Sequence, residues 1–590
     1  MDMIVSIDEA ARLLKLGQVV SFPTETAYAF GADATNRNAV EQIYRIKKRL
    51  HNKKMPILVE SIKQLKTIAN VPEVVEYLSG KLHPGPVSLV ISTRYPWIGA
   101  FRISPNKTAQ AILKKVRRPL VATSANLSGK PPSYSHNEVQ EHFDIPVVKT
   151  PKALPRRAVS TIFDPDGRKF IREGQVPQSE ILKHYFAYDA LSKIRPRTLT
   201  QKLVGKIVND VLHEARRTIG RNVICGGSVA KGTYLDRIKD IDFFFFFGKK
   251  TKLEDKLEDL KKLAGKFGKV ETNYAQHPYL KVEDYKGVSL EFIPAYKTRK
   301  GEVISAADRS IWHVGWVKAL DQKIKDEILI AKQFCMGVGV YGADLRFQGL
   351  SGYAIEVLVA KNGGFIPFLE DLAGRKWPIA EKDPVDSKRN VLASVSRATF
   401  AKFKRAVKAY LENPYWNFFF PREIPVFDRL GNLSNKVLVE IKKPEDAAID
   451  DAVWGMAKRY AGKIARVAKK EDYRVKRYDV FVGRKIIIMF ELESLRKNVK
   501  VEVGPPTKSK KHCERFTAKN PQNFIVGDRI WAFTEPRFRE FSQLVYATED
   551  KIGVPAVYDG HLISKAYRGY YEKEKQFVCR FLLNKEPWEI

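Results

Sequence analysis

Residues 225–247 read CGGSVAKGTYLDRIKDIDFFFFF, and this stretch decides how the chain is understood. An apolar strand, NVIC, runs into Gly226-Gly227-Ser228. Glycines let backbone amides approach a triphosphate, and the Ser228 hydroxyl and Lys231 ammonium can bind its oxygens. Asp240 and Asp242 stand two apart at the head of an apolar strand, so alternation puts both side chains on one face. Neighbouring carboxylates repel, and they make sense together as ligands of Mg2+, which takes oxygen donors. Two such ions can activate an attacking hydroxyl and neutralise a pyrophosphate leaving group. A third carboxylate is expected from a neighbouring strand, and Glu291 in VSLEFIPAY is the candidate. The alternative is a strand end with solvated acids. A bare DxD is common, whereas a glycine pair, serine, lysine and DxD in one strand–turn–strand unit is not.

Around this motif lies a chain of 590 residues, long enough for several domains with real cores. Lys and Arg number 103 and Asp and Glu 67, a formal charge of +36. The excess is spread along the chain and is not a basic tail. A hydrophobic content of 44% excludes a disordered polybasic protein. Such charge on a folded protein points to a polyanion, nucleic acid first and an anionic membrane surface second. Cys225, Cys335, Cys513 and Cys579 are far apart, with no CxxC and no zinc spacing, so neither a disulfide framework nor a structural zinc is expected. The N-terminus has early acids and a helical apolar period unlike a signal peptide, and no apolar run can span a bilayer. A cytoplasmic protein without a membrane partner is expected.

Residues 1–186 alternate short apolar runs (QVVSFP, PILVE, VSLVIS, PLVATSA, VSTIFD) with helical patterns such as AVEQIYRIKKRL, an α/β arrangement. A basic stretch with a proline, YDALSKIRPRTLTQKL, breaks the periodicity near 187–200. The α/β pattern resumes over 223–300. Residues 316–412 are mostly helical with a glycine-rich interruption. From about 425 strands (KVLVEI, YDVFVGRKIIIMFELE, DRIWAFTE) mix with helices in an α+β pattern, and GPPTKSKKH at 504–512 is expected to be a basic loop.

The 225–247 segment resembles the signature of the DNA polymerase β nucleotidyltransferase superfamily. With ISAADRSIWHVGWVK, KQFCMGVGVYGADLRFQGLSGYAIEVLV and DPVDSKRNVLASVS in order, the chain from about Ala187 onward resembles the archaeal-type (class I) CCA-adding enzyme. That resemblance implies rebuilding of the CCA end of tRNA from CTP and ATP without a nucleic-acid template. By motif position it implies Ser228, Lys231, His313, Lys332 and Tyr341 as triphosphate ligands, and Asp240, Asp242 and Glu291 as catalytic metal ligands. Arg389 would read the incoming base edge, a task suited to a guanidinium fork. Read alone, Lys332 also fits a solvated helix face, and His313 and Tyr341 fit ordinary half-buried positions. The family has Asp where this chain has Glu291, one methylene longer.

Farther upstream, PTETAYAFGADATNRNAVEQIYRIKKR, PGPVSLVIS, PLVATSANLSGKPP, VSTIFD and IREGQ occur in order. Residues 4–178 thus resemble the threonylcarbamoyl-AMP synthase (YrdC-like) family. This implies joining of ATP, L-threonine and bicarbonate into threonylcarbamoyl-AMP, used to modify adenosine 37 of tRNA. The implied binding residues are Thr26, Lys47, Arg49, Ala122, Ser124, Asn126, Ser160 and Arg172. Cations at Lys47, Arg49 and Arg172 suit a triphosphate and charge developing on a carbamate. Several positions depart from the family. Met55 replaces an ATP-contacting Asn, and Glu60 replaces a threonine-contacting His, where it would repel a carboxylate. Ala29-Phe30 adds bulk in a tight run, and Arg-x-Pro survives only as Arg102-Ile103-Ser104-Pro105.

The expected fold is multidomain α/β and α+β. A YrdC-like twisted α/β domain (1–186) is fused to a polymerase β-type nucleotidyltransferase head (187–315), a helical neck (316–424) and an α+β body and tail (425–590) that bind tRNA. The expected function is bifunctional tRNA maturation with tRNA, ATP, CTP, L-threonine and bicarbonate as ligands, and the resemblance allows a homodimer. Alternatives are a CCA-adding enzyme whose YrdC-like domain only docks RNA, a poly(A) polymerase-like enzyme, or a non-catalytic tRNA scaffold.

Overall fold

In a computed structural model, all residues are described except 1–2, 221, 275–277, 300–301, 303, 306, 444–449, 549–551 and 590. The chain forms two compact units, Met1–Ile194 with Val407–Trp416, and Arg195–Ala406 with Asn417–Ile590.

The first unit is built on ten strands: β1 (Ile4–Val5), β2 (Val20–Pro23), β3 (Tyr28–Asp33), β4 (Met55–Leu58), β5 (Val87–Val90), β6 (Ile98–Arg102), β7 (Leu120–Ser124), β8 (Val147–Val148), β9 (Thr161–Asp164) and β10 (Lys169–Arg172). They form one mixed sheet in the order β1-β8-β2-β3-β7-β4-β6-β5-β9-β10. Its apolar runs lack a polar face because both faces are covered. Phe22, Ala29, Leu58 and Ala122 pack beneath helices α1 (Ile7–Lys15) and, farther along the chain, Lys107–Val116. The alternate residues Tyr28, Phe30, Ile57 and Val121 enter a larger core with α2 (Arg37–Lys47). The α2 helix stops where Lys48 turns left-handed at φ 48°. A helix Gln178–Ile194 then runs on through residue 187, and the chain turns only at 195–197, where Pro196 stands.

In the second unit, α3 (Thr198–Thr218) leads into a five-stranded sheet. Its strands are β11 (Val223–Cys225), β12 (Asp240–Phe247), β13 (Val270–Tyr274), β14 (Pro278–Tyr285) and β15 (Val288–Tyr296), in the order β11-β12-β15-β14-β13. The phenylalanine run lies in β12 at the sheet's interior. Phe243 and Phe245 pack with Phe292 in one core, and Phe244 and Phe246 with Ala295 in another on the opposite face. Both faces of the strand are therefore buried, which is why it reads as a continuous apolar run. Helices α5 (Ser310–Lys318), α6 (Gln322–Gly337) and α7 (Gly352–Asn362) follow; α4 is the short helix Gly227–Lys231 between β11 and β12. The first of these helices runs unbroken through residue 315.

The remaining strands are β16 (Lys436–Lys442), β17 (Val475–Val482), β18 (Lys485–Leu492), β19 (Lys500–Pro506), β20 (Asn523–Val526), β21 (Arg529–Thr534) and β22 (Pro555–Asp559). They make a four-stranded sheet, β17-β18-β16-β22, and a three-stranded one, β19-β21-β20. The basic loop expected at 504–512 is not a loop. Residues 504–506 end the edge strand β19, and 510–512 open a helix, Lys510–Lys519. An edge strand tolerates the two prolines, and lysines are good helix formers. All four cysteines are unpaired, with Cys335 and Cys579 buried. Among the described residues no helix is long and apolar enough to cross a membrane.

Candidate active sites

The second unit gathers its motif residues around the start of α4. Strands β12 and β15 are parallel, and their register sets Asp242 directly beside Glu291, with Asp240 beside Ser289. The two carboxyl groups share a hydrogen bond; burial, joined by repulsion from Asp240 at Asp242 and from both aspartates at Glu291, pushes both above the carboxylate range. Gly226 N donates to Asp242 O at 2.8 Å. Gly227 adopts φ +56°, and a Cβ there would collide with the Asp242 carboxylate. The glycine pair therefore does two things: it lets the chain turn into α4, and it leaves room for a carboxylate against the helix start. Ser228 is half-buried on that helix.

Helices α5, α6 and α7 and the segments that hold Tyr341, Asp383 and Arg389 complete the group. Lys231 lies over the Tyr353 ring at 4.8 Å and donates to Glu356 at 2.9 Å. Lys332 on α6 also donates to Glu356, at 2.8 Å. It is buried, so the solvated-face reading of Lys332 is corrected. His313 on α5 stacks on Tyr353 with centroids 3.7 Å apart, and its Nε2 meets Asp383 at 3.0 Å. Burial pulls its pKa down. Arg389 donates to the same Asp383 at 3.0 Å. Tyr341 is not helical; it forms an isolated bridge with Leu350, and burial raises its hydroxyl. A Cβ on Gly352 would lie 2.9 Å from the Tyr341 oxygen, which ties this tyrosine to α7.

Two residues central to this arrangement were not singled out from the sequence. Asp383 accepts from His313, Arg389 and Tyr353 and from the Val385 amide. Burial works against its charge, but the His313 and backbone hydrogen bonds hold it well below the usual range. Glu356 is a fully buried acid inside the apolar helix SGYAIEVLV, and an acid in such a run was the available signal.

A metal fits the carboxylate face on its chemistry: crowded acids that cannot all ionise are what a hard, oxygen-seeking dication stabilises. Among the described residues no three His, Cys, Asp or Glu side chains already stand together as a metal-holding group.

In the first unit, a cavity of about 510 Å3 is lined by all eight residues named from the sequence: Thr26, Lys47, Arg49, Ala122, Ser124, Asn126, Ser160 and Arg172. Its charged lining is wholly cationic, with Lys53, Lys54, Arg102 and Arg157 added to Lys47, Arg49 and Arg172. Lys47 is buried and donates to Ser124 O, Asn126 O and Asn126 Oδ1 at 2.5, 2.8 and 2.9 Å. Burial and the nearby Arg49 bring it down to about 7. Arg49 is held by the Lys53 and Lys54 carbonyls at 3.1 and 2.9 Å. Arg172 donates to Ser160 O and Oγ at 3.0 and 2.9 Å.

The departures fall unevenly on this cavity. Met55 and Ala29 line it. Phe30, on the other face of β3, packs edge-on against Phe143 and adds no bulk to the lining. Glu60 is also outside the lining, so the repulsion expected from it has no place there. Arg102 lines the cavity and pairs with the buried Glu25 at 2.8 Å, a partner not foreseen.

Comparisons with known proteins divide the chain in the same way. Four family models match: telomere recombination (Sua5/YciO/YrdC) over residues 12–174, nucleotidyltransferase domain over 205–313, tRNA nucleotidyltransferase second domain over 326–380 and 372–420, and CCA-adding enzyme C-terminal domain over 434–570. The CCA-adding enzyme of Saccharolobus islandicus (strain Y.N.15.51 / Yellowstone #2) is 31% identical over 440 residues, covering 68% of this chain and 98% of that protein. The chain belongs to the CCA-adding enzyme family. Another family member, from Thermococcus gammatolerans, is 30% identical over 408 residues, covering 62% of this chain and 88% of that one. Both of these relatives are archaeal, and in this chain a Sua5/YrdC-type α/β domain stands at the N-terminus. A solved double variant of P. abyssi Sua5 is 32% identical and covers 30% of this chain and 56% of that one, with a TM-score of 0.28.

Proposed function

We propose that the second unit adds CCA to tRNA 3′ ends from CTP and ATP. The observation that carries this reading is the register of Asp242 beside Glu291, with Asp240 on the same strand and the Gly226-Gly227-Ser228 turn packed against them. Asp240, Asp242 and Glu291 would hold Mg2+, which supplies activation of the terminal hydroxyl and charge neutralisation of the pyrophosphate. Ser228, the α4 amides and Lys231 bind the phosphate oxygens of the incoming nucleotide, with His313, Lys332 and Tyr341 around them. Arg389, fixed by Asp383, presents its remaining donors to the base edge. Glu291 lies beside Asp242 in register and shares a hydrogen bond with it, which keeps its longer side chain at the carboxylate face.

The first unit makes threonylcarbamoyl-AMP from ATP, L-threonine and bicarbonate. Its cavity, whose charged lining is all cationic, supports this: Lys47, Arg49 and Arg172 meet the triphosphate, while Thr26, Ala122 and Ser160 hold threonine. Ser124 and Asn126 fix the Lys47 ammonium.

The test is incubation of the whole chain with tRNA lacking CCA, labelled ATP, CTP and Mg2+. Growth by the missing three nucleotides is expected. A ladder from ATP alone would replace the reading with a poly(A) polymerase, and no product would end it. Asp240→Ala with Asp242→Ala should cut addition by about a thousandfold or more and leave tRNA binding in place. For the first unit, threonine-dependent release of pyrophosphate from ATP is expected. Its absence alongside tRNA binding would make that unit an RNA-docking module.

A further inference from the structure

Arg102, at the end of β6, lines the first unit's cavity with only 5% of its surface exposed. Its ion pair is with Glu25, Nε to Oε1 at 2.8 Å, and the two atoms lie out of line for a hydrogen bond. The other Glu25 oxygen, Oε2, accepts from the hydroxyl of Ser104, which is buried. Ser104, within the lengthened Arg102-Ile103-Ser104-Pro105 run, thus ties down the acid that ties down the arginine. Among the described residues no hydrogen bond engages the two terminal amino groups of Arg102. Polar groups buried to this degree ordinarily have their donors filled. Here a guanidinium fork with free donors borders a cavity.

The register of the sheet says what lies next to that fork. Strands β5 and β6 pair Leu89 with Phe101, and one step on Ser88 stands opposite Arg102. Ser88 Oγ meets Ser160 Oγ at 3.2 Å. Ser160 in turn takes Arg172 through its carbonyl and hydroxyl oxygens. The fork therefore lies near Ser160, one of the residues read as holding threonine, and near Arg172. Arg102 together with Glu25 adds donors but no net charge. Such a pair is a poor match for a triphosphate and a good one for a singly charged ligand, whose charge Arg172 can meet. A guanidinium fork fits two oxygens of a planar oxyanion. We propose that the free fork of Arg102, anchored by Glu25 and Ser104, is the bicarbonate site of the first unit. The proposal rests on the reading of this unit as a maker of threonylcarbamoyl-AMP. The carbon of bicarbonate has to meet the threonine amine, and a place near Ser160 brings the two together. The carboxylate of threonine shares the same planar chemistry and is the competing tenant of the fork.

Threonine-dependent pyrophosphate release by the whole chain in CO2-free buffer, with each substrate varied in turn, separates the two. Arg102→Lys keeps the charge beside Glu25 and loses the fork. Its KM for bicarbonate should rise about tenfold or more, while KM for L-threonine and for ATP change by less than about threefold. Nitrate, a planar monoanion that cannot react, should inhibit the wild type in competition with bicarbonate and lose potency in the variant by a similar factor. A rise in KM for threonine instead, with nitrate competing against threonine, would overturn the assignment in favour of the amino-acid carboxylate. Unchanged KM values for all three substrates would overturn it outright. If Arg102→Lys does not fold, Arg102→Met with Glu25→Gln removes both partners of the buried pair and is held to the same expectations. A wild-type chain that releases no pyrophosphate with threonine would instead bring down the reading of the whole unit, and the proposal with it.

Discussion

At the scale of single residues, the most constrained position is Gly227. It needs both a left-handed backbone and empty space, because the Asp242 carboxylate occupies the volume a side chain would take. Gly227→Ala should reduce nucleotide addition more than about tenfold while costing only about 1–3 kcal/mol of stability, read by comparing turnover with thermal melting. An active variant would show that Asp242 can move aside. Lys47 gives a second prediction at this scale, with a defined sign. Its folded pKa of about 7 lies below its ordinary 10.5, so its burial is unfavourable at and below neutrality and is relieved as pH climbs between those values. Anion binding runs the other way, since only the ammonium attracts phosphate. Threonine-dependent pyrophosphate release should therefore fall as pH rises above about 7, and in Lys47→Met it should be low and flat. A wild-type profile climbing through that range would remove the Lys47 charge from the reaction.

At the scale of elements, the strand β12 carries both the core and the chemistry. Phe245 is buried and stacks on Phe292 at 5.9 Å, from the strand whose head presents the acids. Phe245→Ala should cost about 3–5 kcal/mol in the transition that CTP protects, measured by urea unfolding with and without nucleotide. A loss below about 1 kcal/mol would mean the sheet closes over the gap. The acids of this strand could be read from the chain because alternation is a local rule, and the five apolar runs read over 1–186, which fall on β2, β4, β5, β7 and β9, are legible because a strand covered on both faces is apolar throughout. Asp383 was not, since nothing local distinguishes an acid that pairs with a histidine or arginine elsewhere in the fold from one that faces water, and for Glu356 the local signal, an acid inside an apolar helical run, marks burial without naming the lysines it meets. The Gly-Pro-Pro and lysine run at 504–512 misled for a related cause. Its composition is that of a loop, while its position at a sheet edge is decided by strands it meets later in the chain.

At the scale of the molecule, two units each carry their own core and their own candidate site. Protein that binds a ligand only when folded is stabilised by it. Calorimetry should resolve two unfolding steps, with L-threonine raising one and CTP the other. A single step moved by both ligands would show that the units melt as one. The positive charge of +36 is shared between them, and in the first unit part of it lines a cavity with no acid in its wall.

The unpaired cysteines have a practical bearing on following this protein in solution. Cys335 and Cys579 are buried. Cys225 is half-buried beside the glycine turn, and burial with the nearby Asp242 pushes its thiol up to about 12, which leaves almost no thiolate to react. Cys513, on the helix Lys510–Lys519, is partly exposed and donates only to the Pro506 and Thr507 carbonyls. A maleimide dye added to the native chain should therefore attach at that one position, giving a fluorescent reporter on the C-terminal region without removal of any other thiol.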